Sequence, residues 1–209
     1  MDEKNQQLIN SNIIDAKIPT RYIGLTFDDF IAETDKQKVI LEACKGFTKK
    51  EFDVGLIMCG RNGTGKSMLC SIIIQEIIRM NPYDNHGGNP FSHFKQAKRL
   101  YTEAIKLVRL VKSSWRKDSR FTEQEVLDYF TSPTVLVVDE IGVQYGSATE
   151  AQFITEIIND RYNQRKPTIL CGNMTIAEIK NLIGERVVDR FRDGGRVLVY
   201  DWESYRGRK

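Results

Sequence analysis

Residues 54–70 read VGLIMCGRNGTGKSMLC, an apolar run that breaks into glycines and then into a lysine-serine pair. The first six residues carry no charge and have strand length, as a strand buried on both faces requires. Gly60-Arg61-Asn62-Gly63-Thr64-Gly65-Lys66-Ser67 then fits the pattern G-x-x-x-x-G-K-[ST]. In it, glycines let successive backbone N–H groups converge on an anion, and the lysine reaches the outer phosphates while the hydroxyl of Ser67 meets Mg²⁺. Leu69, Ile72, Ile73 and Ile77 follow at helical spacing. The loop therefore also faces the positive end of a helix dipole. Strand, loop and helix in this order predict an α/β domain with a phosphate site.

Further along, TVLVVDE (134–140), PTILCGN (167–173) and RVLVY (196–200) are short apolar runs separated by helical segments. That alternation predicts a parallel sheet covered on both faces. KQAKRLY (95–101) predicts another short strand, with Thr102 as the N-cap of a helix over 103–115. Thr122 with Glu125 three residues on forms a capping-box pattern for the helix that follows. Asp139 and Glu140 close their strand at its C-terminal end, where open α/β sheets bind ligands. Asp139 is placed to hold Mg²⁺ through water, and Glu140 to polarise an attacking water, a function a hydrolase needs. Asn173 ends the next apolar run and is placed to orient that water.

A chain of 209 residues accommodates one α/β domain with extensions. The formal charge of +3 is too small to argue for nucleic acid through composition alone. Cys44, Cys59, Cys70 and Cys171 sit in or beside apolar segments without C-x-x-C pairing, which speaks against a zinc site and a disulfide framework. The opening residues are polar and acidic, and no apolar run is long enough to span a membrane. A soluble, cytoplasmic protein is expected. Residues 1–17 read as an N-terminal arm or a short docked helix ahead of a domain over 18–209.

Charge is distributed unevenly: residues 95–120 hold nine basic and two acidic side chains. On the predicted helix Lys106, Arg109, Lys112 and Arg116 share one face, and Ala104, Val108, Val111 and Trp115 share another. Such a stripe is often only a solvated face, yet it is also what tracks a nucleic-acid backbone. Phe91, Phe94 and Tyr101 are candidates for base stacking, although aromatics at such positions are more often core.

IPTRYIGLTFDDF (18–30), GRNGTGKS (60–67), LVVDEIGVQ (136–144), INDRYNQRKPTILCGN (158–173), LIGERVVDRFR (182–192) and DWESYRGR (201–208) together resemble the AAA+ ATPases of the DnaC-like helicase-loader group, which also includes IstB. The resemblance implies a P-loop AAA+ core with a five-stranded parallel sheet of order 5-1-4-3-2. It also implies ATP and Mg²⁺ as cofactors, with ATP bound where subunits of a homo-oligomer meet. Lys66 and Ser67 then bind ATP and Mg²⁺, Asp139 and Glu140 form the hydrolytic pair, and Asn173 is the first sensor. By the same resemblance Arg186 is the finger offered to a neighbour's ATP, Arg206 is the second sensor, and Ile18, Arg21 and Tyr22 flank the adenine. Residues 1–17 stand where bacterial loaders of the group carry a domain that grips the replicative helicase.

The expected function is thus an ATP-hydrolysing replication factor that binds single-stranded DNA through the α-helical stripe and partners a replicative helicase. Two other readings remain open: a transposition ATPase acting on duplex DNA, and a nucleotide-switch adaptor with negligible turnover. A small-molecule kinase is a remote third, since the sequence shows no acceptor-binding domain.

Overall fold

Both edges of the apolar run before the glycine loop are paired, because the strand it forms lies between two others in a parallel sheet, and its two faces pack into separate buried layers. The computed structural model describes residues 3–83, 94, 98–142 and 148–206, without the side chains of 148–150. Within these the chain runs α1 (Glu3–Asp15), α2 (Asp35–Thr48), β1 (Gly55–Gly60), α3 (Lys66–Met80), β2 (Arg99–Glu103), α4 (Ala104–Ser114), α5 (Glu123–Thr131), β3 (Val135–Asp139), α6 (Ala148–Asn163), β4 (Thr168–Gly172), α7 (Ile176–Ile183), α8 (Glu185–Gly194) and β5 (Gly195–Tyr200). Two short 3-10 turns, Thr20–Tyr22 and Phe27–Asp29, lie between α1 and α2. The strand order is β2-β3-β4-β1-β5 with every pair parallel. Read from the opposite edge, this is the expected 5-1-4-3-2 sheet.

The period-two alternation of β1 divides the core into two layers. Leu56 and Met58 face α1, α2 and α3, whereas Ile57 and Cys59 face α4 through α8. In the first layer Ile9 and Ile13 of α1 are buried, and Asn12 donates to Pro82 O at 2.7 Å. Ala16, just past α1, accepts a hydrogen bond from Tyr101 N at 2.8 Å. β2 is an edge strand, so the chain after α1 takes up a backbone group that an open edge would leave exposed.

Helix starts follow their caps: Thr34 with Gln37, Thr122 with Glu125 and Thr175 with Glu178 each form a capping box. The expectation for Thr102 fails. Thr102 pairs with Val138 inside the sheet, the strand runs on to Glu103, and α4 starts at Ala104 with Glu103 as an N-cap that makes no side-chain bond. Pairing with β3 satisfies more backbone than one capping bond would, so the strand wins. Of the strand predicted over 95–101, positions 95–97 lie outside the described residues.

A buried arginine fixes the end of the sheet remote from the glycine loop. Arg161 of α6 is 0% exposed and donates to Thr168 Oγ1 (2.9 Å), Pro133 O (2.7 Å) and Pro167 O (2.7 Å), with longer bonds to Phe130 O and Thr131 O. It thereby ties the end of α5 to the entries of β3 and β4. A buried guanidinium is tolerated only when its donors are satisfied, as they are here.

Candidate functional site

The glycine loop turns back sharply at the end of β1. Gly60 (φ +120°) and Gly63 (φ +72°) occupy conformations that L side chains rarely adopt. Space forbids a side chain as well: a Cβ on Gly60 would lie 2.1 Å from Tyr200 O, and one on Gly63 would lie 2.0 Å from Ser204 Oγ. Lys66 opens α3 with its ammonium against the loop's own carbonyls, 3.2 Å from Gly60 O and 2.5 Å from Arg61 O. Burial pulls its pKa below the usual lysine value, an effect opposed by the nearby Cys171 and Asp139. An anion at the loop would supply these ammonium donors with charged acceptors, the stronger kind of hydrogen bond.

Asp139 ends β3 and is 5% exposed, the only buried carboxylate among the described residues. Its Oδ1 accepts from Glu140 N at 2.8 Å, and its Oδ2 accepts from the hydroxyl of Tyr101. Glu140 is exposed and adopts φ +58°, uncommon for a residue with a side chain and a frequent mark of functional sites. Its pKa is raised, first by burial and then by the carboxylates of Asp139 and Glu103. Asn173 is exposed just past β4, and the next residue, Met174, accepts from Gly60 N at 2.9 Å. That bond brings the end of β4 to the first residue of the loop.

Among the described residues no group of three or more His, Cys, Asp or Glu is arranged to hold a metal. Ser67 in the first turn of α3 and the buried Asp139 nevertheless fit Mg²⁺, which takes one or two protein oxygens and keeps water and phosphate for the rest.

The segment after β5 folds over the loop. Tyr205 N donates to Gly63 O at 2.9 Å, its hydroxyl donates to Ile31 O at 2.9 Å, and its ring meets Phe30 edge-on at 6.1 Å. Arg206 follows, with its Cδ 3.4 Å from the position a Cβ on Gly63 would take. Of the three residues expected beside the adenine, Ile18 is buried in the core, while Arg21 stacks at 4.7 Å over the partly buried Tyr22. Burial raises the Tyr22 pKa, and the charges of Arg21, Asp139 and Arg206 all act on it. The Tyr22 turn is pinned by a residue that helical spacing did not single out. Gln75 on α3 donates to Tyr22 O and accepts from Gly24 N, both at 2.8 Å.

Two arginines of α8 stand in different environments. Arg190 donates to Asn159 Oδ1 at 2.7 Å and lies 4.3 Å over the Tyr162 ring. Arg186, one turn earlier, is exposed and makes no hydrogen bond or ion pair with the described residues.

Lys106, Arg109 and Lys112 on α4 are exposed, and Ala104, Leu107, Val108 and Val111 are buried; Arg116, expected on the same helix, is exposed but lies past its end at Ser114. Lys106 pairs with Glu103 at 2.7 Å, and Arg116 lies 3.8 Å from Asp118. Trp115 departs from the predicted apolar face: it is half exposed, bonded through its indole to Glu123 and stacked on Phe153 at 5.7 Å. Two stacking candidates are likewise corrected. Tyr101 is buried against Asp139, and Phe94 packs on Phe121 and Tyr129, while Phe91 lies outside the described residues. Among the described residues no helix is long and apolar enough to cross a membrane.

Comparison with known proteins identifies the family and agrees with the fold. The profile of a family described as IstB-like ATP binding protein matches residues 5–209. The replicative helicase loader DnaC of Buchnera aphidicola subsp. Schizaphis graminum is 31% identical over 188 residues, which span 88% of this chain and 70% of that protein. The replicative helicase loader DnaC of Escherichia coli (strain K12) is 28% identical over 187 residues, 88% and 69% of the two chains. A crystal structure of the DnaC helicase loader aligns with a TM-score of 0.69 at 22% identity, covering 88% of this chain and 100% of that one, and so shares the fold. The chain belongs to the IstB-like ATP binding protein family and is an ATPase built on the AAA+ P-loop core.

Proposed function

We propose that this ATPase is a loader-type replication factor whose ATP state governs assembly of copies of the chain on single-stranded DNA and engagement of a replicative helicase. The likeness to replicative helicase loaders over 88% of the chain supports the helicase as partner. The observation that carries the assembly mechanism is the contrast on α8. Arg190 is tied down within its own subunit, whereas Arg186 is exposed and without a partner among the described residues. A cation left in that condition is suited to reach a neighbour's site.

In this reading the triphosphate of ATP lies along residues 60–67, and the Lys66 ammonium moves from the loop carbonyls to the outer phosphate oxygens. Ser67 and Asp139 hold Mg²⁺, which when bound neutralises charge on the outer phosphates. Glu140 takes the proton of the attacking water, and its raised pKa makes it a stronger base than an ordinary glutamate. Asn173 orients that water, Arg206 lies over Gly63 within its own subunit, and Arg186 stabilises charge on the phosphoryl group of the next subunit. Tyr22 and Arg21, with Ile18 behind them, flank the adenine.

Lys106, Arg109, Lys112 and Arg116 then track a single-stranded backbone without reading its sequence. A cytoplasmic setting accords with four buried free cysteines.

The test combines turnover with capture. ATP hydrolysis is measured with single-stranded and with duplex DNA, and immobilised replicative helicase is used to capture the chain with and without ATP. Stimulation by single strands together with ATP-dependent capture is expected. Stimulation by duplex alone, with no capture, would replace this reading by the transposition-type one.

A further inference from the structure

We propose that Tyr101 is a positioning residue for ATP hydrolysis, holding the carboxylate of Asp139 in the orientation that receives Mg²⁺. The assignment rests on the metal-side role given to Asp139 above. Its origin lies in sheet register. Tyr101 on β2 is opposite Val137 on β3, and Glu103, two residues on, is opposite Asp139. Residues two apart on a strand share a face, and diagonal neighbours across two strands are within reach of a long aromatic side chain. The phenol spans that diagonal and donates to Asp139 Oδ2, while Glu140 N donates to Oδ1 at 2.8 Å. With a donor on each oxygen, the carboxylate cannot turn without losing a bond. Each oxygen also keeps an acceptor position for a metal-bound water.

Tyr101 is itself braced. It is 3% exposed, and its backbone N–H is held by Ala16 O at 2.8 Å, next to the buried end of α1. Packing does not require the hydroxyl, since Val135 and Val137 fill the same core layer with hydrocarbon alone. A hydroxyl in such a layer costs free energy unless it is partnered, and its partner here is the one buried carboxylate among the described residues. Groups that hold a metal's ligand without touching the metal typically account for ten- to a hundredfold in metal affinity.

The test uses Tyr101→Phe, which keeps the ring and removes the donor, with retained far-UV circular dichroism as the check on folding. Binding of a fluorescent ATP analogue is followed as Mg²⁺ is titrated, and Mn²⁺ binding is followed separately by electron paramagnetic resonance. The metal half-saturation should rise about tenfold, with nucleotide affinity in EDTA unchanged. Tyr129→Phe removes a buried tyrosine hydroxyl from the opposite core layer and should leave the half-saturation alone. In an Asp139→Asn background Tyr101→Phe should add nothing. The proposal is overturned if Asp139→Asn shifts the half-saturation and Tyr101→Phe does not. An equal shift in Tyr129→Phe, or a full further shift on top of Asp139→Asn, also overturns it. Should Asp139→Asn itself cause no shift, the metal-side role of Asp139 fails, and this proposal fails with it.

Discussion

The loop end of the sheet and the outer face of α4 are both electrically active, but they are built in opposite ways. At the loop end, β1, β3, β4, the start of α3, the turn at residues 20–24 and the segment after β5 converge, and neighbours brace one another: Gln75 the Tyr22 turn, Tyr101 the Asp139 carboxylate, Tyr205 the backbone of Gly63. The α4 stripe is carried by one helix and its exit, with its cations exposed, Lys106 paired to Glu103 and Arg116 to Asp118. A braced site fixes atoms for chemistry. A solvated stripe offers charge at a spacing, which suits a repetitive and variable ligand.

If the contrast holds, damage at the loop end should be large and specific. Glu140→Gln should retain ATP binding while turnover falls by roughly a hundred- to ten-thousandfold, since shape is kept and the base is lost. Its pH dependence carries a sign. The pKa of Glu140 is raised, so the acid limb of turnover should lie above the range of an ordinary glutamate, and activity should fall as pH drops through it. The linked effect on stability runs the other way. The fold favours the protonated form, so Glu140 weakens the fold above its folded pKa and ceases to do so below its unfolded value. As pH rises through this window kcat should therefore increase, while the Tm of the wild type should fall relative to that of Glu140→Gln.

Next in size is Gln75→Leu. It removes the bonds to Gly24 N and to Tyr22 O, which keeps Leu25 N as a donor at 3.3 Å, and about 0.5–1.5 kcal/mol should be lost per bond. Denaturant unfolding would show it, together with weaker nucleotide binding because the adenine turn loses its anchor. Wild-type affinity at reduced stability would detach Tyr22 from the nucleotide.

Smallest and most diffuse is the effect on α4. Reversing Arg109 and Lys112 to Glu should weaken single-stranded DNA binding and lower the slope of log affinity against log salt by roughly 1.4, about 0.7 for each lost phosphate contact. An unchanged slope would return α4 to the status of an ordinary solvated face.

How much of this could be read in advance follows the same division. The glycine loop and Asp139–Glu140 were legible because each is a local pattern whose chemistry lies in consecutive residues, whereas the order of strands came only through the family resemblance. The α4 stripe was legible through periodicity, although Trp115, at its end, turned out to solvent and toward Glu123. What escaped depends on register. Tyr101 read as a candidate for base stacking at the end of a strand until its place opposite Val137 aimed it at Asp139, and Thr102 looked like a cap until it paired with Val138. Gln75 lay unmarked in a helix read for its apolar positions because its partners, Tyr22 O and Gly24 N, are backbone atoms some fifty positions earlier. Arg161 gave no signal either, since four of its five acceptors are backbone carbonyls, which every residue carries.

The central claim, that ATP is hydrolysed between subunits, is tested most directly by mixing two inactive proteins. Arg186→Ala should bind ATP and hydrolyse it about a thousandfold more slowly or worse. Lys66→Ala should fail to bind ATP at all, having lost the mobile cation of the loop. Arg190→Ala, run in parallel, should keep most turnover, because Arg190 is engaged within its own subunit by Asn159 and Tyr162. When Arg186→Ala and Lys66→Ala are combined, the second protein still carries an intact Arg186 and presents it to the filled site of the first. Hydrolysis should then return in part. If the mixture stays at the level of its two components while co-assembly is verified by crosslinking, Arg186 does not act across a subunit boundary, and the account is contradicted.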